Sequence, residues 1–372
     1  MTVVTLSATE EAPAGGTPPA RSTATSGAAR RKRRLFGLVL LLVLLVVTVI
    51  ASLAIGSRSL APSLVWDGLW HEYTTGPNPA DPELNQAAII VQTLRVPRTL
   101  LALIAGAALA LAGALIQGHT RNPVADPGFL GLTQGAAFAV VCATFLGGLT
   151  APIQYVWFAF LGTALTALLV FGLSSIGRGV GSPLTLVLAG MGVAMFLSSM
   201  TSAIALSDNA SLDTLRFWNA GAVAGRSFDI WGWGTVVIPI LIGAILALAN
   251  GPAVNLLNMG DDVAKGLGLN INLARTVGIV SITLLVGAAT AACGSISFLG
   301  LMVPHIVRYF TGPDYRWLLP YSALMGGWLL LAADIVGRVV ARPGELEVGI
   351  VVALFGAPFF VALVWWRKAV KV

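Results

Sequence analysis

Between Arg95 and Asp126 the chain reads RVPRTLLALIAGAALALAGALIQGHTRNPVAD, a stretch that suits no soluble core. Two cations flank Pro97 at the mouth of an apolar run that ends only at Gln117. Within that run Ala102, Gly106, Ala110, Ala114 and Gly118 recur at every fourth position. That spacing lines small side chains along one helix face and lets neighbouring helices approach closely in lipid. The next apolar segment repeats the device with Gly131, Gly135, Ala139, Ala143 and Gly147. The reading is a polytopic membrane protein of tightly packed helices, with its arginines marking a face onto which something docks.

Composition agrees. The chain is 56% hydrophobic and only 10% charged, where an ordinary soluble domain carries roughly 25% charged residues. Mean hydropathy is +0.86. A transmembrane barrel is excluded because the apolar runs are continuous rather than alternating. A net charge of +6 could suggest nucleic acid, but the basic residues sit at span ends, where lipid headgroups account for them. Cys142 and Cys293 both fall inside apolar runs and read as small buried hydrophobes rather than a disulfide.

Residues 1–34 read as a disordered, basic cytoplasmic tail, rich in Ala, Thr, Ser, Gly and Pro and closed by Arg30–Arg34. The apolar stretch Leu35–Ile55 is too long for a signal-peptide core and becomes the first span. Nine more follow near 97–117, 129–149, 153–173, 184–206, 231–250, 275–293, 296–310, 319–340 and 349–366. The short 296–310 span carries Pro304 and His305, so it is broken or shielded by its neighbours. Ten spans put both termini on one side, and residues 35–372 form one transmembrane domain. With that topology 15 of the 22 Lys and Arg lie inside, while nine acids, Asp67, Glu72, Asp208 and Asp213 among them, lie outside. The positive-inside rule then holds both termini in the cytoplasm. Residues 56–94, marked by Pro62, Pro77, Pro79 and Pro82, form a long outer segment; 207–230 form a second; and 251–274 form the main inner loop.

No GxxxxGK[ST] phosphate loop occurs, so the chain does not hydrolyse nucleotide by that route. His71, His119 and His305 are scattered over separate segments and give no metal-ligand spacing. Asp334 is the one acid deep in a predicted span. It reads either as a proton or cation relay or as a packing partner for Arg338 one turn on, and the second is favoured. Arg95, Arg98 and Arg338 fall at outer span ends, against the positive-inside trend. In the inner segment Asn258–Arg275, Asp261 and Asp262 open a short helix that Gly266 and Gly268 can end.

Three blocks carry a family resemblance: RVPRTLLALIAGAALALAGALIQGHTRNPVADPGFLGLTQGAA, GSISFLGLMVPHIVRYFTGPDYRWLLP and LLLAADIVGRVVARPGELEVGIVVALFGAPFF. In order and content they resemble the iron-siderophore and cobalamin ABC importer permeases, the FecCD family of type II importers, over roughly residues 35–368. The resemblance implies an all-α permease of about ten transmembrane helices in a bacterial cytoplasmic membrane. It implies a second permease subunit, the same or a related chain, two cytoplasmic ATPases and an extracytoplasmic binding protein. This chain would hold no cofactor, with ATP and Mg bound on the ATPases, and the cargo would be a ferric siderophore or similar iron chelate. Arg95, Arg98 and Arg338 would meet acidic residues of the binding protein, and Gly260, Asp261, Ala264, Gly266 and Gly268 would rest on an ATPase. In one place the chain departs from the family pattern: Glu347 stands in Glu345-Leu346-Glu347-Val348-Gly349 where a proline is usual. The rival reading is a gradient-driven secondary transporter that uses Asp334 as its relay.

Overall fold

Each apolar run read from the sequence forms a helix. The computed structural model describes residues 23–56, 60–74, 81–175, 183–225 and 230–369. In chain order the helices are α1 (Thr23–Ala54), α2 (Pro62–Trp70), α3 (Pro82–Ile89), α4 (Val96–His119), α5 (Leu132–Gly147), α6 (Pro152–Ser175) and α7 (Pro183–Ser207). They continue as α8 (Asn209–Ala220), α9 (Ile230–Leu257), α10 (Asp261–Gly266), α11 (Ile271–Cys293), α12 (Leu299–Thr311), α13 (Tyr315–Val340) and α14 (Val348–Ala369). Among the described residues seven helices are long and apolar enough to cross a membrane, and α5 and α14 supply shorter apolar stretches. With α12 they account for the ten expected spans. The end of the bundle where α1 starts is termed the near face, and the opposite end the far face.

Helix α4 is the central rod, packed against α13, α11, α12 and α9. All five rungs of its small-residue ladder, Ala102 to Gly118, are buried. The close approach the ladder permits is real: a Cβ on Gly106 would collide with the Gly326 carbonyl oxygen on α13. The α5 ladder works the same way against α6, where a Cβ on Gly135 would meet the Gly162 carbonyl at 2.6 Å. Its last rung, Gly147, is exposed at the helix end.

The short span α12 is shielded rather than broken. Pro304 sits inside it, and Leu299–Pro304 are buried. A proline leaves the carbonyl four residues back without its helical donor. That carbonyl, on Gly300, instead accepts from Gln117 Nε2 at 3.2 Å. The other end of the Gln117 amide accepts from Arg308 at 2.5 Å.

Three sequence-based boundaries change. The tail expected over 1–34 ends earlier, because helix α1 already runs from Thr23, while residues 1–22 lie outside the described part. Ala, Arg and Lys are strong helix formers and extend a helix once the span has nucleated it. Arg33 and Arg34 also donate to the carbonyls of Tyr309 and Thr311 at the end of α12, at 3.3 and 2.6 Å. The outer segment 56–94 is not plain loop: Pro62 and Pro82 start helices, since a proline at the first helical position lacks only an N–H that has no helical partner. Pro77 and Pro79 lie outside the described residues. The second outer segment contains α8, whose start is capped by Asp208 accepting from the Ser211 N–H at 2.8 Å.

Candidate functional site

At the far face the chain enters α4 through a widened π-helical turn, Ile90–Arg95. Pro97 comes two residues later, and its ring would crowd the carbonyl of Thr93 in a regular helix, so the wider turn relieves that clash. The turn delivers Arg95 and Arg98 toward the ends of α1 and α13. Asp334 on α13 is 0% exposed and is gripped from both sides. Arg98 donates to its carboxylate from Nη2 at 2.7 Å and from Nε at 3.0 and 3.1 Å. Arg338, one turn along α13, donates from Nε at 2.9 Å and from Nη2. The packing reading of Asp334 is the one the geometry bears out.

Arg338 also reaches the Ser52 carbonyl on α1 at 2.9 Å and the Ser52 hydroxyl at 3.2 Å. Arg95 donates to the carbonyls of Leu53 and Ala54 at 2.6 and 3.0 Å, satisfying groups that the end of α1 leaves open. Arg98 extends outward to Glu345 at 2.5 Å. Three arginines and two carboxylates therefore bind α1, α4, α13 and the 341–347 turn into one knot.

Arg95, Arg98 and Arg338, expected to meet acidic residues of a binding protein, all have partners within this chain. The structure does bring Arg95, Arg98 and Arg338 together, but Arg95 and Arg338 are only 5% and 1% exposed. A bare cation is not stable at that depth, and carbonyls and a carboxylate of the same chain have taken them up. Sequence reasoning missed Ser52 and Glu345. Glu345 carried a signal, an acid beside three arginines at one face, but Ser52 carried none. On the exposed rim stand Arg342 and Glu345.

At the near face the expected short helix is α10. Gly260 precedes it at φ +113°, and Gly268 comes after it at φ +83°. These are backbone conformations natural to glycine, and they fold the helix back between α9 and α11. Asp261 bridges Arg121, just past the end of α4, and Arg275 on α11, the latter at 2.9 Å. Arg121 itself sits at φ +49°. Nearby, the Asn250 amide faces His119 Nε2 at 3.1 Å and donates to the Ala274 carbonyl at 3.1 Å. The ends of α4, α9 and α11 are thus tied to α10.

Of the expected contact residues, Ala264 faces inward and Gly266 stands at the surface. Ala264 is fully buried against Leu257, Ile271 and Ala274. Gly266 is the last residue of α10, has no positive φ and has open space where a Cβ would stand. The outward apolar residues are Met259, Val263 and Leu267, 62%, 46% and 61% exposed, and Asp262 and Lys265 are exposed beside them.

Residues 44–366 match the FecCD transport family. The ferric enterobactin transport system permease protein FepD of Escherichia coli (strain K12) is 43% identical over 313 residues, covering 84% of this chain and 90% of that protein. The Fe(3+)-citrate import system permease protein YfmD of Bacillus subtilis (strain 168) is 41% identical over 306 residues, covering 82% and 85%. A solved structure titled as an inward-facing conformation of a metal-chelate type ABC transporter superposes with a TM-score of 0.74 at 30% identity, covering 90% of this chain and 99% of that one.

Proposed function

The chain belongs to the FecCD transport family, and from that premise we propose that it is the permease subunit of a bacterial importer for a ferric siderophore or similar iron chelate. The observation that carries the mechanism is α10: a helix with exposed Val263, followed at once by exposed Leu267, fastened through Asp261 to Arg275 of α11 and to Arg121 just past α4. An apolar helix face on an otherwise polar loop is what a soluble motor can grip. In this reading two partner ATPases hold ATP and Mg and press on α10, and a second permease completes the pathway. Both termini lie in the cytoplasm, where the near-face cations favour them. The chain itself carries out no covalent chemistry.

A binding protein docks on the far face. Its footprint is read on Arg98, Arg342 and Glu345, while Arg95 and Arg338 act beneath them by holding the rim in shape. The Asp334 carboxylate is already occupied by Arg98 and Arg338 of the same chain, which counts against the gradient-driven alternative. The test is uptake of a radio-iron chelate into proteoliposomes holding the full complex. Uptake should require ATP at the ATPases and survive collapse of the proton gradient. Uptake that tracks the gradient and ignores ATP would refute the proposal.

A further inference from the structure

At the near end of α1, Arg31, Lys32 and Arg33 follow one another and are all exposed. Among the described residues none of the three forms an ion pair. We infer that this end is a seat for an anionic phospholipid of the near leaflet, with its phosphodiester on the three cations and its chains along α1. The inference stands on the membrane-spanning fold and holds whatever the permease carries.

The apolar half of the seat begins one turn on. Arg31, Leu35, Val39 and Val43 recur at every fourth position, as do Lys32, Phe36 and Leu40, so the cations crown the helix side that those apolar residues form. All five of these apolar residues are exposed, Phe36 to 71%. Leu35 to Leu44 covers about 15 Å of helix at 1.5 Å per residue, half of a hydrocarbon core roughly 30 Å thick. The stripe is therefore as long as the acyl layer of one leaflet. Helical side chains lean toward the N-terminus, which carries Arg31 and Lys32 away from the hydrocarbon and into the headgroup layer.

The polar half is held in place. Arg33 donates to the Tyr309 carbonyl at 3.3 Å and lies 5.7 Å from the centre of the Tyr309 ring. Arg34 donates to the Thr311 carbonyl at 2.6 Å and lies 5.5 Å from the centre of the Trp317 ring. The Tyr321 hydroxyl donates to the Arg34 carbonyl. These ties pin α1 to α12 and α13, so Arg31 and Lys32 stand at a fixed height and need no ordering before they bind. Arg33 spends one N–H on Tyr309 and keeps the rest of its fork. Asp314, the acid at the start of α13, is already taken by the Asn255 amide and the Arg316 N–H, at 2.7 and 3.0 Å. Exposed Arg316 adds a further cation to this end.

An acidic protein surface could also meet three cations. Arg31 and Lys32, however, stand on the side of α1 whose next turn lies in lipid. A ligand that brings its own acyl chains covers both halves of that side, whereas a soluble partner covers only the first.

The test uses the complete permease–ATPase complex, stripped of lipid in a neutral detergent. It is titrated with phosphatidylglycerol or with phosphatidylcholine of identical chains, and bound lipid is counted by native mass spectrometry. At about fivefold per near-surface cation, three cations should favour the first anionic lipid over the zwitterionic one by about a hundredfold. Arg31→Gln with Lys32→Gln should cut that preference to about fivefold. Arg31→Lys with Lys32→Arg keeps the charge and should keep the preference. Arg216→Gln removes an exposed cation on α8 and should also leave it at the parental value. Equal binding of the two lipids by the parent, or an equal loss in Arg216→Gln, would overturn the seat. Displacement of the lipid by an equal concentration of glycerol phosphate, a headgroup without chains, would overturn it too. If the double Gln variant sheds its ATPase subunits while holding phosphatidylglycerol like the parent, the cations serve the motor and the inference is wrong.

Discussion

Replacing Asp334 with Asn tests the far-face knot and the transport class together. Asn has nearly the size of Asp and keeps one acceptor, but removes the charge that two guanidiniums share. Arg98 and Arg338 then face a neutral amide, with Arg338 only 1% exposed. Removing one partner of a buried ion pair costs about 3–5 kcal/mol, because the remaining charge is left uncompensated. At about 2 °C per kcal/mol for a large chain, apparent melting should fall by roughly 6–10 °C. The assay is thermal unfolding of the purified complex in detergent at a fixed scan rate, with parent and variant side by side. Replacing Asp334 and Arg338 together with Leu and Met should recover part of the loss, because the deeper guanidinium is then gone and Arg98 keeps Glu345 as its partner. Uptake per folded complex, measured with ATP and no proton gradient, should persist in Asp334→Asn. Melting within about 1–2 °C of the parent would refute the energetic argument, which sets the loss at roughly 6 °C or more. Abolished uptake in a well-assembled variant would restore the relay.

At the near face, Gly268→Val should sharply reduce ligand-stimulated ATP hydrolysis, because φ +83° strains a β-branched residue, whereas Gly266→Val has helical backbone and open space and should be tolerated. Equal effects of the two would show that backbone conformation is not the cause. Cysteine at Val263 or Leu267 should cross-link to an ATPase in the assembled complex far faster than cysteine at buried Ala264, and the reverse order would place the contact elsewhere. Gly106→Val should prevent stable folding, since even its Cβ would collide with the Gly326 carbonyl; a variant that purifies with parental melting would show that α4 and α13 can separate cheaply.

How much of the fold and the site was legible in the sequence depended on the range of the interaction that fixes each feature. Helices are set by local apolarity, and one stands at each of the ten apolar runs that hydropathy marked. The α4 ladder could be read because its spacing is a property of one helix, although its partner, Gly326, could not be named. Pairing of Asp334 with Arg338 was legible for the same reason, being an i, i+4 contact. The link from Arg98 to Asp334 crosses 236 positions, so the sequence offered the charges without their arrangement. That is why the arginines read as exposed: a cation at a span end normally faces water or headgroups, and only the tertiary fold supplied carbonyls and a carboxylate to bury it. In the outer segments prolines read as loop marks, but proline also begins helices, and the choice between the two rests on the residues C-terminal to it.

The two networks meet in α4. Its first turn carries Arg98, locked to α13, and its last residue precedes the Thr120–Arg121 step that meets Asp261 on α10. The helix is 24 residues long, about 36 Å at 1.5 Å per residue. Contact along that length is backbone to backbone: a Cβ on Gly106 would strike α13, and one on Gly113 would overlap the Gly300 carbonyl of α12. Carbonyl-deep contacts leave no side chains to slide or rearrange, so α4, α12 and α13 resist shear against one another. A force on α10 reaches this block through the Asp261–Arg121 pair and α11 through the Asp261–Arg275 pair. Helix α7, by contrast, exposes much of its surface, while the end of α8 is fastened by backbone hydrogen bonds from Ser295 to Trp218 and from Gly349 to Gly221.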